Sequence, residues 1–381
     1  MRIEPVKIYH NSNIPKAVKK TVSNPLQKKS LMISSAGASA IAAAAMIKNA
    51  PKEITPEDIE KKFTEHGYIK NEYDAYSLQN LSDENLSRIK NKYGKIYSDH
   101  IRWKYQMSEF DSDDIKKLNQ FLNIDKKTGR KILNENFDDL MDTYMTLTAS
   151  PVFNLNSKIS QNKELYTLIT NVITTPFDKN KIESVYNWKG KSHTGVAGTA
   201  QSFLREHKTG MPAEAQEFTD NLSKAIDTQK LPESITLYRR EGMEVLKTIM
   251  AHNDRKINLA LVMQEISKME HPEEELKKLK EFILDNEITA VQPSFMATSI
   301  DKDLVNHFEG PKGPDGGDAN IIWTFNVAPN TKGLYIEALN ADGTAFNEQE
   351  VLLQKGTKIK IEDIDYNKFN GMWKIKATVS N

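Results

Sequence analysis

Two glutamates near the carboxyl end of the chain, Glu348 and Glu350, have types and spacing that could do chemistry. The apolar residues 351–353 follow them directly. In a β-strand, side chains two residues apart leave on the same face, so the two carboxylates would project side by side. Like charges held this close raise each other's pKa, which is costly unless a cation meets them. The spacing therefore predicts a site for a cationic group at the mouth of a buried strand; the alternative is an exposed edge strand that glutamates keep soluble.

An arginine lies on a second predicted strand, within residues 231–242. Ile235, Leu237 and Arg239 alternate there, so one face carries two core residues and a guanidinium. Burying a guanidinium is costly unless it is paired, and its planar fork matches two phosphate oxygens. The pattern predicts a phosphate contact or, equally well, a structural ion pair with a nearby glutamate. Arg240 takes the place of Arg239 if the register differs by one residue.

The composition excludes several classes of protein. With 381 residues, the chain is long enough for two domains. Lys and Arg together number 52, as do Asp and Glu, so no global field favours nucleic acid and we expect no nucleic-acid partner. Cysteine is absent, which excludes disulfides, thiolate chemistry and sulfur-ligated zinc.

The first half of the chain divides into three predicted parts. Residues 1–50 hold eight Lys or Arg residues against one acid, which predicts a basic, flexible targeting or translocation tail. Residues 51–150 contain helix-start signals at Thr55, Ser82 and Ser112, each followed by apolar residues three and four positions apart. They predict a small all-α domain, for which an adaptor or anchor role stays open. The polar residues 151–163 predict a linker.

The second half, residues 164–381, is predicted to be a separate domain. Helices come first, and short strands are concentrated after residue 235. The strands at 295–300 and 321–327 are separated by a glycine-rich loop at 310–317. Helices that precede a run of short strands are typical of the α+β class.

Three motifs occur in the order and approximate spacing found in bacterial mono-ADP-ribosyltransferase toxins. These are Tyr238-Arg239, residues 295–299 (Phe-Met-Ala-Thr-Ser) and residues 348–353 (Glu-Gln-Glu-Val-Leu-Leu). They resemble the arginine, Ser-Thr-Ser and Glu-x-Glu elements of that family. Residues 321–336 resemble a strand, turn and strand of its binary actin-modifying and C3-like branch. The resemblance covers about residues 165–381 and implies an ADP-ribosyltransferase-like β-sandwich with helices.

The resemblance also implies a role for each motif residue. NAD would be the substrate, without a metal. Its cleavage passes through an oxocarbenium-like cation, which Glu350 would stabilise while it bonds the ribose 2′-hydroxyl. Glu348 would orient and help deprotonate an incoming guanidinium, and Arg239 would clamp the NAD phosphates. Thr298 and Ser299 are assigned to the cofactor site, and Phe346 to recognition of the protein substrate.

One position departs from the family pattern. Ala297 stands where the family has a serine whose hydroxyl orients the catalytic glutamate. The loss of one such hydrogen bond costs about 1–2 kcal/mol, which predicts a slowing of at most about thirty-fold.

The resemblance therefore implies an exported toxin or effector that acts in the host cell cytosol. It would transfer ADP-ribose from NAD to an arginine of a host protein, with actin or a small GTPase as candidate targets. A translocation partner or chaperone would bind the N-terminal region. The alternatives are an NAD glycohydrolase, in which water replaces the acceptor, and a binding protein with an inactive NAD pocket, which the departure at Ala297 favours.

Overall fold

A computed structural model describes residues 51–78, 81–148, 163–191, 194–232, 235–251, 257–307, 319–339 and 348–381. The predicted tail (1–50), nearly all of the predicted linker (151–163) and the glycine-rich loop (310–317) lie outside the described residues. Residues Pro51–Asn381 form one compact unit.

The residues before the large sheet are mainly helical. The helices are α1 (Pro56–Glu65), α2 (Asp83–Met107), α3 (Ser112–Leu122), α4 (Lys126–Glu135), α5 (Phe137–Thr148), α6 (Lys163–Ile173), α7 (Lys179–Lys191), α8 (Gly195–Arg205) and α9 (Ala213–Asp227). Three two-residue strands, which the sequence analysis does not predict, lie among them: β1 (Ile69–Lys70), β2 (Tyr76–Ser77) and β3 (Glu109–Phe110). Within the described ranges, no helix combines the length and apolar composition needed to cross a bilayer.

The helix starts follow from side-chain capping. The Thr55 hydroxyl accepts a hydrogen bond from the backbone N–H of Asp58, and Ser82 caps α2 in the same way. The third predicted start is displaced by one residue, because Asp111 caps α3 through the N–H groups of Asp113 and Asp114. The Asp111 carboxylate accepts both N–H groups, and Ser112 is instead the first residue of the helix.

The C-terminal region contains an eight-stranded mixed sheet. Its strands are β4 (Thr236–Glu241), β5 (Thr289–Val291), β6 (Met296–Ser299), β7 (Ile321–Val327), β8 (Gly333–Tyr335), β9 (Glu350–Leu353), β10 (Lys358–Asn367) and β11 (Met372–Ser380). The helices α10 (Met243–Met250), α11 (Leu259–Ser267), α12 (Glu273–Asn286) and α13 (Lys302–His307) lie between strands in sequence. The mixture confirms the predicted α+β class.

The strand order is β5-β10-β11-β7-β4-β6-β9-β8, with β11 and β7 parallel and the other neighbours antiparallel. Strands β4 and β6 are joined by the single pair Tyr238 and Ser299. The sheet is therefore almost divided there into a five-stranded and a three-stranded half. The arginine motif lies on β4 and residues 296–299 form β6, the two strands that meet at this division, and the Glu-x-Glu segment leads into β9 beside β6.

The helical region and the sheet share one hydrophobic core. Helix α5 packs against the short 3₁₀ turn Ile336–Leu339, which directly follows β8. Trp323, Phe325 and Trp373 are among the largest buried side chains on the sheet side. The independent folding of residues 51–150 stays a prediction.

A buried carboxylate, Asp142 on α5, joins the helices of the N-terminal region. Its oxygens accept hydrogen bonds from the hydroxyls of Tyr93 and Tyr105, and Lys92 and Arg88 lie 3.2 and 3.5 Å away. Burial is the largest single influence and raises the pKa of Asp142, but the two cations and the hydroxyls outweigh it and lower that pKa below its ordinary value. The carboxylate is therefore ionised and paired in the folded state.

Substitution of Asp142 by alanine should lower the free energy of unfolding by about 2–4 kcal/mol, because two buried tyrosine hydroxyls lose their acceptor and Lys92 and Arg88 each lose one of their carboxylates. Denaturant unfolding measures this loss. Asp113→Ala is the matched control, since Asp113 pairs with Lys117 at the surface and its loss should lower the free energy of unfolding far less. Equal effects of the two substitutions would contradict a structural role for the Asp142 cluster.

Candidate active site

The Glu-x-Glu segment enters β9 through a bend. Glu350 is the first residue of β9 and only 4% exposed, whereas Glu348 precedes the strand and is half-buried. Gln349 between them has a φ of 50°, in the left-handed region. The prediction that both glutamates lie on one face of a strand is therefore wrong. The buried amide of Gln349 accepts a hydrogen bond from the Tyr335 hydroxyl at 2.9 Å, which holds the bend in place.

The end of β6 braces this bend. Ser299 lies opposite Glu350, and its hydroxyl donates to the carbonyl oxygen of Glu348 at 2.8 Å. The Thr298 hydroxyl donates to the carbonyl oxygen of Val351 at 2.6 Å. The structure thus brings Thr298 and Ser299 to the glutamates, and both hydroxyls bind the backbone of the Glu-x-Glu segment. Ala297 pairs with Leu352 and offers no hydroxyl to Glu350.

A third buried glutamate, Glu337, holds the same segment from the other side. One oxygen of its carboxylate, Oε1, accepts the backbone N–H groups of Glu348 and Glu350 at 3.0 and 3.2 Å. The same oxygen accepts from the Lys189 ammonium at 2.6 Å. The backbone of both glutamates is thereby fixed from two directions, by Ser299 and by Glu337.

Two consecutive residues of α7 contact the side chain of Glu350. The indole N–H of Trp188 donates to Glu350 Oε1 at 2.8 Å, and the Lys189 ammonium lies 3.7 Å from Oε2. Trp188 also packs edge-on against Phe295, which leads into β6. Trp188, Lys189 and Glu337 are site residues that were not predicted from the sequence. The only local signal of Trp188 and Lys189 is a basic residue beside a tryptophan in a helix, which is too common to indicate a site, and Glu337 has no local signal.

The electrostatics of the pair follow from burial. Burial raises the pKa of Glu350 to about 7, with Lys189 opposing this rise and Glu348 adding to it. Burial also raises the pKa of Glu348. Glu350 therefore changes its charge near neutral pH, which is unusual for a carboxyl group.

Arg239 lies on β4 and is mostly buried. Its Nε donates to Glu241 Oε2 at 2.6 Å, and its Nη1 donates to the carbonyl oxygen of Ala297 at 2.6 Å. Glu241 also accepts the indole N–H of Trp323. The structural ion pair considered in the sequence analysis is thus present, and among the described residues no partner occupies Nη2 of Arg239. Arg240 instead donates to the carbonyl oxygens of Ala319 and Asn306.

Arg239 and Glu350 start from the two strands that flank β6. Arg239 reaches the backbone of β6 at Ala297, and Glu350 lies opposite Ser299 of the same strand. At the usual spacing of neighbouring strands, β4 and β9 are about 10 Å apart. One extended dinucleotide can reach across that distance.

A second arginine, Arg205, lies close to Arg239 at the carboxyl end of α8. Its Nε donates to the Ser294 hydroxyl at 3.4 Å. Burial and then the charge of Arg239 lower the pKa of Arg205, with Glu241 opposing them. Two guanidinium groups thus share one nearby carboxylate, and the excess positive charge suits an anion. Arg205 has no local sequence signal that indicates a site.

One predicted site residue lies outside the described part of the chain. Phe346, the predicted contact to the protein substrate, lies outside the described residues. Within the part of the chain that the structure describes, no three His, Asp or Glu side chains converge as metal ligands.

The strands of the large sheet, the two arginines and the buried glutamate all lie within residues 201–381. These residues match the family model described as ADP-ribosyltransferase exoenzyme. No curated protein matches the chain. Trp188 and Lys189 precede the matched region.

Solved structures of toxins are similar to the chain. C3stau2 from S. aureus with NAD is 18% identical, with 57% of this chain and 92% of that chain covered and a TM-score of 0.40. Plx2a, an ADP-ribosyltransferase toxin from Paenibacillus larvae, is 16% identical over 54% and 88%, with a TM-score of 0.39. The enzymatic component C2-I of the C2 toxin from Clostridium botulinum is 16% identical over 61% of this chain and 49% of that chain, with a TM-score of 0.39.

Proposed function

We propose that the protein is a mono-ADP-ribosyltransferase that moves ADP-ribose from NAD to an arginine of a host protein. The observation that carries this proposal is the different environment of the two glutamates. Glu350 is buried under Trp188 and Lys189, whereas Glu348 is half-buried on a fixed backbone two residues away. One carboxylate is thus placed for the donor sugar and the other for an acceptor.

In the proposed reaction the bond between nicotinamide and C1′ of the ribose breaks. Nicotinamide leaves with the bonding electrons, and the ribose becomes an oxocarbenium-like cation. The Glu350 carboxylate stabilises this charge in a site with little water. Free lone pairs on its oxygens accept the ribose 2′-hydroxyl. A nitrogen of the acceptor guanidinium then bonds to C1′ as Glu348 takes its proton.

The phosphates of NAD fit the two arginines. Arg239 has Nη2 available among its described contacts, and Arg205 lies beside it with one carboxylate, Glu241, near both. A pyrophosphate would balance the excess positive charge, and charge-assisted hydrogen bonds from guanidinium to phosphate are among the strongest in proteins. We assign the pyrophosphate contact to Arg239, supported by Arg205.

The wider role is proposed from the resemblance stated above. The protein would be exported and act in the host cytosol, with actin and small GTPases as candidate acceptors. Residues 1–50 would serve targeting or translocation, and the N-terminal region would bind a translocation partner or chaperone. Mass spectrometry of a host lysate incubated with the protein and NAD identifies the acceptor. Modification of lysine or asparagine in place of arginine would contradict the proposed specificity.

Glu348→Gln is the variant that tests transfer to arginine. Glutamine cannot take the guanidinium proton, so transfer of label from NAD to protein should fall by about 10²-fold or more. Nicotinamide release to water should stay within a few-fold, since Glu350 is unchanged. Glu273→Gln, an exposed position on α12, is the matched control and should alter neither rate.

The outcomes separate the proposal from its alternatives. An NAD glycohydrolase would release nicotinamide without labelling protein, in wild type and in Glu348→Gln alike. A protein with an inactive pocket would bind NAD without releasing nicotinamide. Loss of both rates in Glu348→Gln would remove the assignment of separate roles to the two glutamates.

A further inference from the structure

The Lys189 ammonium lies between two buried carboxylates. Its side chain is 5% exposed, as is that of Glu337, and it lies 2.6 Å from Glu337 Oε1 and 3.7 Å from Glu350 Oε2. Taking these groups out of water is costly, and a buried charge is retained without penalty only where its partners are well placed. The arrangement therefore needs an explanation beyond stability.

We propose that Lys189 and Glu337 form a buried pair that aims Glu350 and keeps its carboxylate charged for catalysis. This inference rests on the proposed function of Glu350. Both are positioning residues, because they act on the sugar only through the glutamate. Trp188 completes the contact by fixing the other carboxylate oxygen.

The positioning part of the proposal rests on the contacts of Glu337. Its Oε1 accepts three donors, namely the N–H groups of Glu348 and Glu350 and the ammonium of Lys189. A charged acceptor strengthens each of these hydrogen bonds. The bend at Gln349 is therefore held by a carboxylate that is itself anchored by Lys189 on α7.

The charge part follows from which groups face Glu350. Lys189 is the cation beside it, Glu348 and Glu337 are the neighbouring acids, and Trp188 donates a hydrogen bond. Lys189 divides its charge between Glu337 and Glu350. Removing the lysine leaves Glu350 among acids alone, so its charged form becomes less stable. Removing the charge of Glu337 frees the lysine for Glu350, so the charged form becomes more stable.

The contacts to the Glu350 carboxylate come from Trp188 and Lys189, whereas Ala297 on the neighbouring strand β6 offers it no hydroxyl. Trp188 and Lys189 both lie on α7, so this support comes from a helix and not from the strands of the sheet.

Opposite shifts of the pH profile test the inference. We would measure nicotinamide release from about pH 5 to about pH 9 for the full-length wild type, Lys189→Met and Glu337→Gln. Lys189→Met should move the midpoint of the pH–rate profile upward by about one pH unit. The rate of nicotinamide release should therefore fall by up to about tenfold near neutral pH and recover at high pH. Glu337→Gln should move the midpoint downward, because its amide oxygen still accepts the backbone N–H groups but no longer draws the lysine.

Two further variants isolate the charge. Lys189→Arg keeps a cation and should restore the midpoint toward that of the wild type. Lys179→Met, at an exposed lysine of the same helix that pairs with Glu183, is the matched control and should leave the profile unchanged. If Lys189→Met fails to fold, the comparison of Glu337→Gln with wild type still decides the direction of the shift.

A second readout does not depend on activity. Titration of carbon-13-labelled glutamate carboxyls by NMR, assigned with Glu350→Gln, should show the same opposite shifts for Glu350. Equal rate losses at every pH with an unmoved Glu350 titration would overturn the inference and leave Lys189 and Glu337 with a structural role. Absence of nicotinamide release in wild type would contradict the proposed function, whereas the NMR titration would still decide whether the pair controls the charge of Glu350.

Discussion

Replacement of Glu350 by glutamine should slow the release of nicotinamide from NAD by about 10²–10³-fold. The amide lacks the negative charge that stabilises the ribosyl cation, and the loss of one preorganised electrostatic contact typically has this effect. The indole of Trp188 can still donate to the amide oxygen, so the fold should persist and NAD should still bind. A release assay with an NAD-binding measurement checks both expectations.

The same substitution should make the protein more stable at neutral and alkaline pH. Burial raises the pKa of Glu350 from its ordinary value to about 7, so the folded state binds its proton more tightly than the unfolded state does. The contribution of Glu350 to the free energy of unfolding is fully present below about pH 4.5 and is lost as the pH rises through about 7. Glutamine does not ionise, and Glu350→Gln should therefore gain about 2–4 kcal/mol over wild type at about pH 8.

Unfolding at two pH values separates this effect from a change in packing. At about pH 4, where the carboxyl is neutral in both states, Glu350→Gln and wild type should unfold at similar denaturant concentrations. Glu273→Gln should show no pH-dependent difference, since its side chain is exposed. An equal gain in the free energy of unfolding at both pH values would show that ionisation of Glu350 does not destabilise the folded protein.

The sequence predicts those features that depend on local pattern. Residues 351–353 are apolar and form the buried strand β9, and the alternation of Leu237 and Arg239 places an arginine within β4. Capping at Thr55 follows from one hydroxyl oxygen that accepts the backbone N–H three residues later. Each of these depends on residues that are close in sequence, so spacing alone is informative.

The remaining site depends on contacts between residues that are distant in sequence. Glu337 lies in a 3₁₀ turn and Lys189 in a helix, and neither has a neighbour that indicates a site. Arg205 becomes significant only because α8 ends beside Arg239. The bend at Gln349 is held by the hydroxyl of Tyr335, so the two-residue periodicity of a strand could not predict it. Tertiary packing overrides the local pattern in each case.

Arg239 has two proposed roles, which a pair of variants can separate. Arg239→Met should leave Glu241, which is 2% exposed, with the Trp323 indole but without its ion-pair partner. Breaking a buried ion pair by removing one partner costs about 3–5 kcal/mol. In Arg239→Met/Glu241→Gln both charges of the pair are removed, so most of this loss should be recovered in denaturant unfolding.

The NAD contact should not recover with the stability. A charge-assisted hydrogen bond contributes about 1.5–3 kcal/mol, so both variants should bind NAD at least about tenfold more weakly than wild type by calorimetry. Arg240→Met is the matched control on the same strand, because Arg240 bonds carbonyl oxygens of Ala319 and Asn306 away from β6. Restored NAD affinity in the double variant would show that Arg239 has only a structural role. A larger loss of NAD affinity in Arg240→Met would assign the phosphate contact to Arg240. Recovery of stability without recovery of affinity is the result that requires Arg239 to hold the donor phosphates.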